Sequence, residues 1–165
     1  KMAYQKLQVS EGLAVIPSNT VAIPDPSTEM VTSTTDGTTA NKLVDSTQDF
    51  IAMGVKTGMI VYNTTDTTAA YVTAVDDANT LSISVDVMAT AEAYSIYGSA
   101  TSGCILFVGG AGDIQLVMAG NNGNESWNAS SSIAFKNIAA GSFLPTQVIG
   151  VAASGTTARD IIALW

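Results

Sequence analysis

Short apolar segments of four to seven residues, each bounded by turn residues, recur along the whole of this chain. They are rich in the β-branched residues Val, Ile and Thr, which favour strands. Over residues 81–85 apolar and Ser side chains alternate, which puts the apolar ones on a single face of a strand. This pattern predicts an all-β protein, built as a β-sandwich or barrel.

Eleven strands are predicted, at residues 13–16, 20–23, 59–63, 70–75, 81–85, 93–97, 104–108, 114–119, 132–136, 147–153 and 160–164. The segments 76–79 and 121–124 have the Asp and Asn content of hairpin loops. One short helix is predicted over residues 46–54. Ser46 with Asp49 three positions later matches a capping box, and Gly54 offers a C-terminal stop.

Charge divides the chain into three parts. Only 12% of the residues are charged, and the formal net charge is −8. Residues 25–92 contain ten acids and two lysines, so this middle part carries the whole net charge. Pro24 to Ser27 and Gly98 to Gly103 are typical of loops. We therefore predict an acidic β module, residues 25–99, that is inserted into a β-domain made of residues 1–24 and 100–165.

The same composition excludes several classes of function. Six cations in an acidic chain cannot build the basic surface that binds a nucleic acid backbone. No apolar run approaches the ~18 residues of a membrane span, so we expect no membrane partner. With no His and a single Cys, Cys104, the chain lacks the residues for a His-based triad, a zinc site or an internal disulfide.

Few residues suggest catalysis or a cofactor. The glycine-rich segment 109–112 precedes a strand-like run rather than a helix, so it predicts a tight turn and not a phosphate loop. Asp76 and Asp77 are adjacent in a turn, where solvated acids are expected rather than an acid–base pair or a calcium site. We expect no catalytic residue, cofactor or metal.

The low charge has two interpretations. The surface is neutral and rich in hydroxyl groups, since Ser and Thr together number 36, or other subunits cover part of it. The second interpretation predicts a homo-oligomer. A terminal arm and a terminal aromatic side chain commonly dock by packing. The predicted subunit-interface residues are Tyr4, Leu7, Val9, Leu13, Val15 and Trp165.

Four aromatic side chains favour a different function. Tyr71, Tyr94, Tyr97 and Trp127 are predicted to be partly exposed, and aromatic rings on a β-face can stack on sugars. The alternative is therefore a carbohydrate- or receptor-binding module, as in a tail fibre or other tail part. A glycosidase that uses two acids is a second alternative.

The C-terminal part resembles the phage head spike-base proteins, which are known from gene transfer agents and tailed phages. The resemblance lies in Gly-Asp-Ile at 112–114, Ile-Ala-Ala-Gly-Ser-Phe-Leu-Pro at 138–145 and Ser-Gly-Thr-Thr-Ala at 154–158, followed by the final Ile-Ala-Leu-Trp. The opening segment 7–24 also resembles the start of such proteins from marine phages.

The middle part resembles a small β module that recurs in structural proteins of marine phages. Its residues here are Lys-Leu-Val-Asp-Ser at 42–46, Gly-Val-Lys-Thr-Gly-Met at 54–59 and Val-Tyr-Asn-Thr-Thr-Asp at 61–66. The shorter spike-base pattern lacks this insert.

Together these resemblances imply a non-enzymatic virion component on the surface of a phage head. It would be a spike base or a capsid decoration, with the major capsid protein and a head-fibre protein as partners.

Overall fold

The computed structural model describes residues 9–121 and 129–165. These ranges contain twelve β-strands and three short 3₁₀ segments, and no α-helix. The strands form two antiparallel six-stranded sheets that share no strand. The all-β prediction is confirmed. The 3₁₀ segments are Pro26–Thr28, Ala119–Asn121 and Ala129–Ser131.

The first sheet combines the N-terminal segment with the C-terminal part of the chain. Its strands are β1 (Gly12–Ala14), β8 (Cys104–Gly110), β9 (Gly112–Met118), β10 (Ile133–Ile138), β11 (Ser142–Ala152) and β12 (Arg159–Leu164). Their order across the sheet is β1-β12-β8-β11-β9-β10. The long strand β11 pairs with β8 through its first half and with β9 through its second half.

This sheet curls around its own apolar core. The inward residues alternate along each strand, as Leu106 and Val108 do in β8 and Ile161 and Ala163 do in β12. They contact one another although they come from one face of one sheet. Such contact requires strong curvature, which the register shifts in β11 on either side of Val148 supply.

The glycine-rich segment 109–112 forms a corner rather than the predicted tight turn. β8 ends with Gly109 and Gly110, and β9 begins with Gly112; the two strands do not pair with each other, because β11 lies between them. A Cβ on Gly112 would lie 2.5 Å from the backbone nitrogen of Ala158 and 2.7 Å from the carbonyl carbon of Thr157. Glycine is therefore needed at 112 because another backbone segment passes directly over it.

The second sheet lies entirely between Glu29 and Tyr97. Its strands are β2 (Glu29–Thr34), β3 (Lys42–Val44), β4 (Ile60–Asn63), β5 (Thr68–Val75), β6 (Thr80–Ile83) and β7 (Ala93–Tyr97), in the order β2-β7-β4-β5-β6-β3. The loop 76–79 joins the antiparallel pair β5 and β6, as predicted. Sequence patterns missed β2, which is rich in polar residues, and β3, which has only three residues.

Two passages of the chain connect the sheets side by side. The amide of Asp25 donates to the carbonyl of Ser99 at 3.0 Å, and the amide of Thr101 donates to the carbonyl of Ile23 at 2.8 Å. The segment 20–23 was predicted as a strand but forms no strand; besides the bond to Thr101, the Ile23 amide donates to the carbonyl of Ile149 at 3.0 Å, and Pro24 forms an isolated bridge with Ala100.

The sheets also share an apolar cluster. Every residue of β4 is buried, with Val61 in the core of the second sheet and Ile60 and Tyr62 on the opposite face. Ile60 and Tyr62 pack against Ile16 and Val21 from the N-terminal segment. One face of the second sheet is therefore covered by the loops that connect its own strands. The other face is covered by residues of the N-terminal segment, which belongs to the first unit, residues 9–24 and 100–165 without the undescribed segment.

The predicted helix over residues 46–54 is wrong, since these residues form successive turns. Asp36 accepts the Ser46 amide at 3.0 Å, and the Phe50 amide donates to the carbonyl of Ala78 at 2.7 Å. Phe50 is fully buried in the second core. The backbone amides of Ser46 and Phe50 and the Phe50 side chain are thus bound by residues distant in the sequence. These contacts hold the segment in turns rather than in a helix.

Candidate interaction surface

The predicted interface residues of the N-terminal arm lie in different environments. Tyr4 and Leu7 lie outside the described residues. Val9 is 48% exposed. Leu13 belongs to β1, where it pairs with Ala163, and it packs on the cluster shared by the two sheets.

Val15 and Trp165 pack inside the protein itself. Both contact the core of the first sheet. The Trp165 indole nitrogen donates to the hydroxyl of Thr101 at 3.0 Å, and the Ser10 amide donates to the Trp165 carbonyl at 2.6 Å. Trp165 is therefore a packing anchor within this chain. Of the predicted interface residues that the structure describes, Val9 alone is largely free to contact another molecule.

A different surface has the character of an interface. The outward face of the first sheet carries a group of six apolar residues on β1, β8, β11 and β12, which we call the outer patch. Its members are Ala14, Ile105, Phe107, Phe143, Ile162 and Leu164.

The strand register makes the outer patch continuous. Phe107 lies opposite Phe143 on one side and opposite Ile162 on the other. Ala14 extends this row across β1, and Leu164 pairs with Ile105 in the next row. Directly opposed residues of antiparallel strands point to the same face, so these side chains form one surface.

Aromatic rings form the centre of the outer patch. The rings of Phe107 and Phe143 are 5.1 Å apart between centroids and inclined at 57°. Phe143 is 61% exposed, and Ile162 is 37% exposed. Exposed apolar surface of this kind is typical of places where another molecule binds.

One charged side chain marks one end of the outer patch. Asp160 lies near the start of β12, two positions before Ile162 and on the same face, whereas Arg159 precedes it on the opposite face; both are exposed. Arg159 is the one arginine of the chain. Within the described ranges, neither side chain takes part in an ion pair.

A signal for the outer patch is present in the sequence. The run Cys104 to Val108 is apolar at every position, whereas a strand with one solvated face alternates. Cys104, Leu106 and Val108 fill the core, which leaves Ile105 and Phe107 on the outside. Nothing in the local pattern around Phe143 indicates that it joins them, because its position follows from the pairing of β11 with β8.

The acids of the second sheet are mostly solvated. Seven of the ten acids between residues 25 and 92 are exposed: Glu29, Asp36, Asp49, Asp66, Asp76, Asp77 and Asp86. Asp76 forms an ion pair with Lys42 at 2.8 Å, and this contact lowers the pKa of Asp76. Most of the negative charge of the protein is therefore exposed on the second unit, residues 25–99, which is separate in sequence from the strands that carry the outer patch.

Asp45 is the exception, since it is fully buried. Desolvation raises its pKa, but hydrogen bonds from Ser33, Thr47 and Tyr94 outweigh that effect, and the net shift is downward. A buried carboxylate with this many donors is a structural centre of the second sheet.

The second unit has a cleft of about 550 Å³ that is lined in part by Asp66, Asp86 and Glu92. The Asp86 carboxylate accepts a hydrogen bond from the backbone amide of Asn41 at 2.8 Å, and the Glu92 carboxylate accepts one from the side-chain amide of Asn63 at 2.9 Å. These acids hold loops in place. In the described residues no group of His, Cys, Asp or Glu is arranged to hold a metal ion.

The tyrosines do not form the sugar-binding platform that the alternative function requires. Tyr94 and Tyr97 are buried, at 0% and 4% exposure, so the prediction that they are partly exposed is wrong. Tyr71 is exposed, as predicted. Trp127 lies outside the described residues. A single exposed tyrosine offers one stacking surface, with no second ring beside it among the described aromatic contacts.

Cys104 is buried in the first core, where its thiol donates to the carbonyl of Val148 at 3.3 Å. Desolvation raises the pKa of the Cys104 thiol to about 12. At neutral pH it is a protonated, unreactive thiol.

Comparison with protein-family models, curated protein sequences and solved structures found no significant match to this chain. Within the ranges that the structure describes, no helix has the length and apolar character to cross a membrane.

Proposed function

We propose that this protein is a non-enzymatic structural component of a phage virion. Several copies assemble on the surface of the head, as a spike base or a capsid decoration. They attach to the major capsid protein and hold other virion proteins such as a head fibre. The resemblance of the terminal and central segments to phage structural proteins supports this proposal.

One structural observation carries the proposal. The first sheet has an apolar outer patch that includes a ring pair and a Phe143 side chain that is 61% exposed. The acids are instead concentrated on the second unit. An assembly protein needs a face that is buried against neighbours and a charged part that stays in water. The first sheet provides the apolar face, and the second unit provides the charged part.

The distribution of acids gives no support to an enzyme. The cleft acids Asp86 and Glu92 are engaged in hydrogen bonds that hold loops. The carboxylate with the most donors, Asp45, is fully buried and has no access to a substrate. General acid–base chemistry needs carboxyl groups that reach the substrate.

The direct test uses purified particles. Gradient-purified virions of the phage that encodes the chain are analysed by quantitative mass spectrometry, and cryo-electron microscopy compares them with particles made without its gene. We expect many copies per particle and symmetric density on the head that is lost in the deletion. Recovery of the chain in the soluble lysate alone, with unchanged particles, would overturn the proposal. Copies along the tail would overturn the head location.

A further inference from the structure

We propose that the second unit undocks from the first unit as a folded body and swings on a single joint. The joint consists of the two passages at residues 23–25 and 99–101, which we call the neck. The structure shows the closed state. This inference goes beyond the proposed function and does not depend on it, because it concerns a motion within one chain.

The neck connects the units as one joint. The two sheets share no strand, and the chain passes between the units only at the neck. The amide of Asp25 donates to the carbonyl of Ser99 at 3.0 Å, and the amide of Thr101 donates to the carbonyl of Ile23 at 2.8 Å. Because these bonds hold the two passages together, the passages bend together, as in a hinge between domains.

The contact that closes the units is small compared with their cores. Among the described residues, twelve buried side chains form the core of each sheet, whereas five form the cluster shared by the units. Burial of apolar surface stabilises in proportion to the area that is buried. Opening the shared cluster therefore costs less free energy than unfolding either core, and a contact of this kind permits relative motion of domains. The shared cluster consists of Ile16, Val21, Ile60, Tyr62 and Tyr97.

The hydroxyl of Tyr62 works against the closed state. It is buried in the shared cluster and has no hydrogen-bond partner. A polar group that is buried without a partner loses its hydration and gains nothing in return. Undocking returns this hydroxyl to water, so the open state recovers its hydration.

The N-terminal segment is held on the first unit, so the contact opens between the units. The amide of Val15 donates to the carbonyl of Ile161 at 2.9 Å, and the amide of Ser18 donates to the carbonyl of Val151 at 2.9 Å. Release of the segment from the first sheet would break these bonds. Undocking at the shared cluster leaves them intact and is the less costly motion.

The first experiment measures labelling of a thiol placed in the shared cluster, with a disulfide reagent and without denaturant. The test variant is Val21→Cys, and the matched control is Val31→Cys, because both valines are 4% exposed and Val31 lies in the second core. Cys104 is a reference in the first core in every variant. Circular dichroism first confirms that both variants are folded.

We expect the thiol of Val21→Cys to react about tenfold faster, or more, than the thiol of Val31→Cys and than Cys104. Mass spectrometry of the digested protein assigns the label to each position. Equal rates at the three positions would show that the thiols become accessible only through unfolding of the whole protein. That result would overturn the proposed motion.

The second experiment distinguishes undocking from release of the N-terminal segment. Hydrogen exchange measures the amides of Val15 and Ser18 under the conditions of the labelling experiment. These amides should stay protected at times when the thiol of Val21→Cys is already labelled. Exchange of both amides at the rate of the labelling would show that the segment detaches, and it would overturn the hinge.

The third experiment tests the part that the Tyr62 hydroxyl plays. Tyr62→Phe, combined with Val21→Cys, removes the unpartnered hydroxyl and should slow the labelling at residue 21. The control is the labelling of Val31→Cys with and without Tyr62→Phe, which should change less. Unchanged or faster labelling at residue 21 would overturn the claim that this hydroxyl favours the open state.

Discussion

The hydroxyl of Tyr94 donates a 2.8 Å hydrogen bond to Oδ2 of Asp45, and both residues are fully buried. Ser33 donates to the same oxygen at 2.6 Å. The amide and hydroxyl of Thr47 donate to Oδ1 at 2.9 and 2.6 Å. These bonds connect strands β2 and β7 with the loop after β3, at the place where a helix was predicted. Burial and the neighbouring carboxylate raise the pKa of Tyr94, so it remains the proton donor.

Replacing Asp45 with Asn should destabilise the protein. The amide retains the shape of the carboxylate but one of its ends is a donor, which faces hydroxyl or amide donors. Hydrogen bonds to charged groups contribute about 1.5–3 kcal/mol, so we expect a loss of about 2–3 kcal/mol in the free energy of unfolding. Urea denaturation measures this loss. Asp49→Asn is the matched control, because Asp49 is exposed on the same loop, and it should have a much smaller effect. Equal effects would contradict a structural role for the buried carboxylate.

The same carboxylate should contribute to the pH dependence of stability. Its pKa is lower in the folded protein than its usual value of 3.8, so it stabilises the fold above that value. The contribution is lost as the pH falls through the lower, folded pKa. The urea midpoint, measured from pH 7 down to pH ~2.5, should therefore fall less in Asp45→Asn than in the unchanged protein. If the midpoints of the two proteins fell in parallel with pH, the pKa of Asp45 would be the same in the folded and unfolded states.

Loss of the hydroxyl group should lower the stability of the protein at Tyr94 but not at Tyr62. Both are buried in the second sheet, but the Tyr62 hydroxyl faces the backbone of Ile16 without reaching hydrogen-bond geometry. Tyr94→Phe should cost about 1–2 kcal/mol, whereas Tyr62→Phe removes an unsatisfied buried group and should be neutral or stabilising. Thermal unfolding of the two variants measures the difference. A comparable loss in Tyr62→Phe would reveal a hydrogen bond to Ile16.

Gly112→Ala should be strongly destabilising. Its Cβ would lie 2.5 Å from the nitrogen of Ala158, which is backbone and cannot rotate away. Forced overpacking costs about 1–3 kcal/mol, and we expect a value at the upper end. Gly120→Ala is the control, because a Cβ at that position meets nothing within 4 Å. A stable Gly112→Ala protein would show that the corner between β8 and β9 can open.

Cys104 should resist thiol reagents in the folded protein. The thiol is buried, and desolvation raises its pKa to about 12, so little thiolate exists at pH 8. Labelling with a disulfide reagent should follow the rate of unfolding and become rapid in urea. Rapid labelling without denaturant would contradict the buried position.

The local pattern predicted most of the strands because their apolar residues alternate or form continuous runs. The pattern at 81–85 became β6, Thr80–Ile83, and the pattern at 93–97 became β7 with the same limits. Strands β2 and β3 were missed, since each buries one apolar residue, Val31 or Leu43, and one buried residue makes no recognisable alternation; pairing with β7 and β6 places them.

The predicted subunit-interface residues stay a prediction, but the structure shows where the described ones lie. Leu13, Val15 and Trp165 were expected to contact a neighbour, and they pack on the cores of their own chain. Phe143 was not among the predicted interface residues, yet it is the most exposed large side chain of the outer patch. An apolar residue is equally suited to a core and to an interface, so composition alone does not distinguish the two.

The sequence by itself determined the all-β class, the position of most strands and the concentration of acid in residues 25–92. These features depend on alternation, β-branched residues and charge, which act over a few neighbouring residues. The tertiary structure decided which apolar face became a core and which stayed outside. It also decided that residues 46–54 form turns around Phe50 and that Tyr94 is buried against Asp45. These outcomes depend on contacts between segments far apart in the chain, which no local pattern contains.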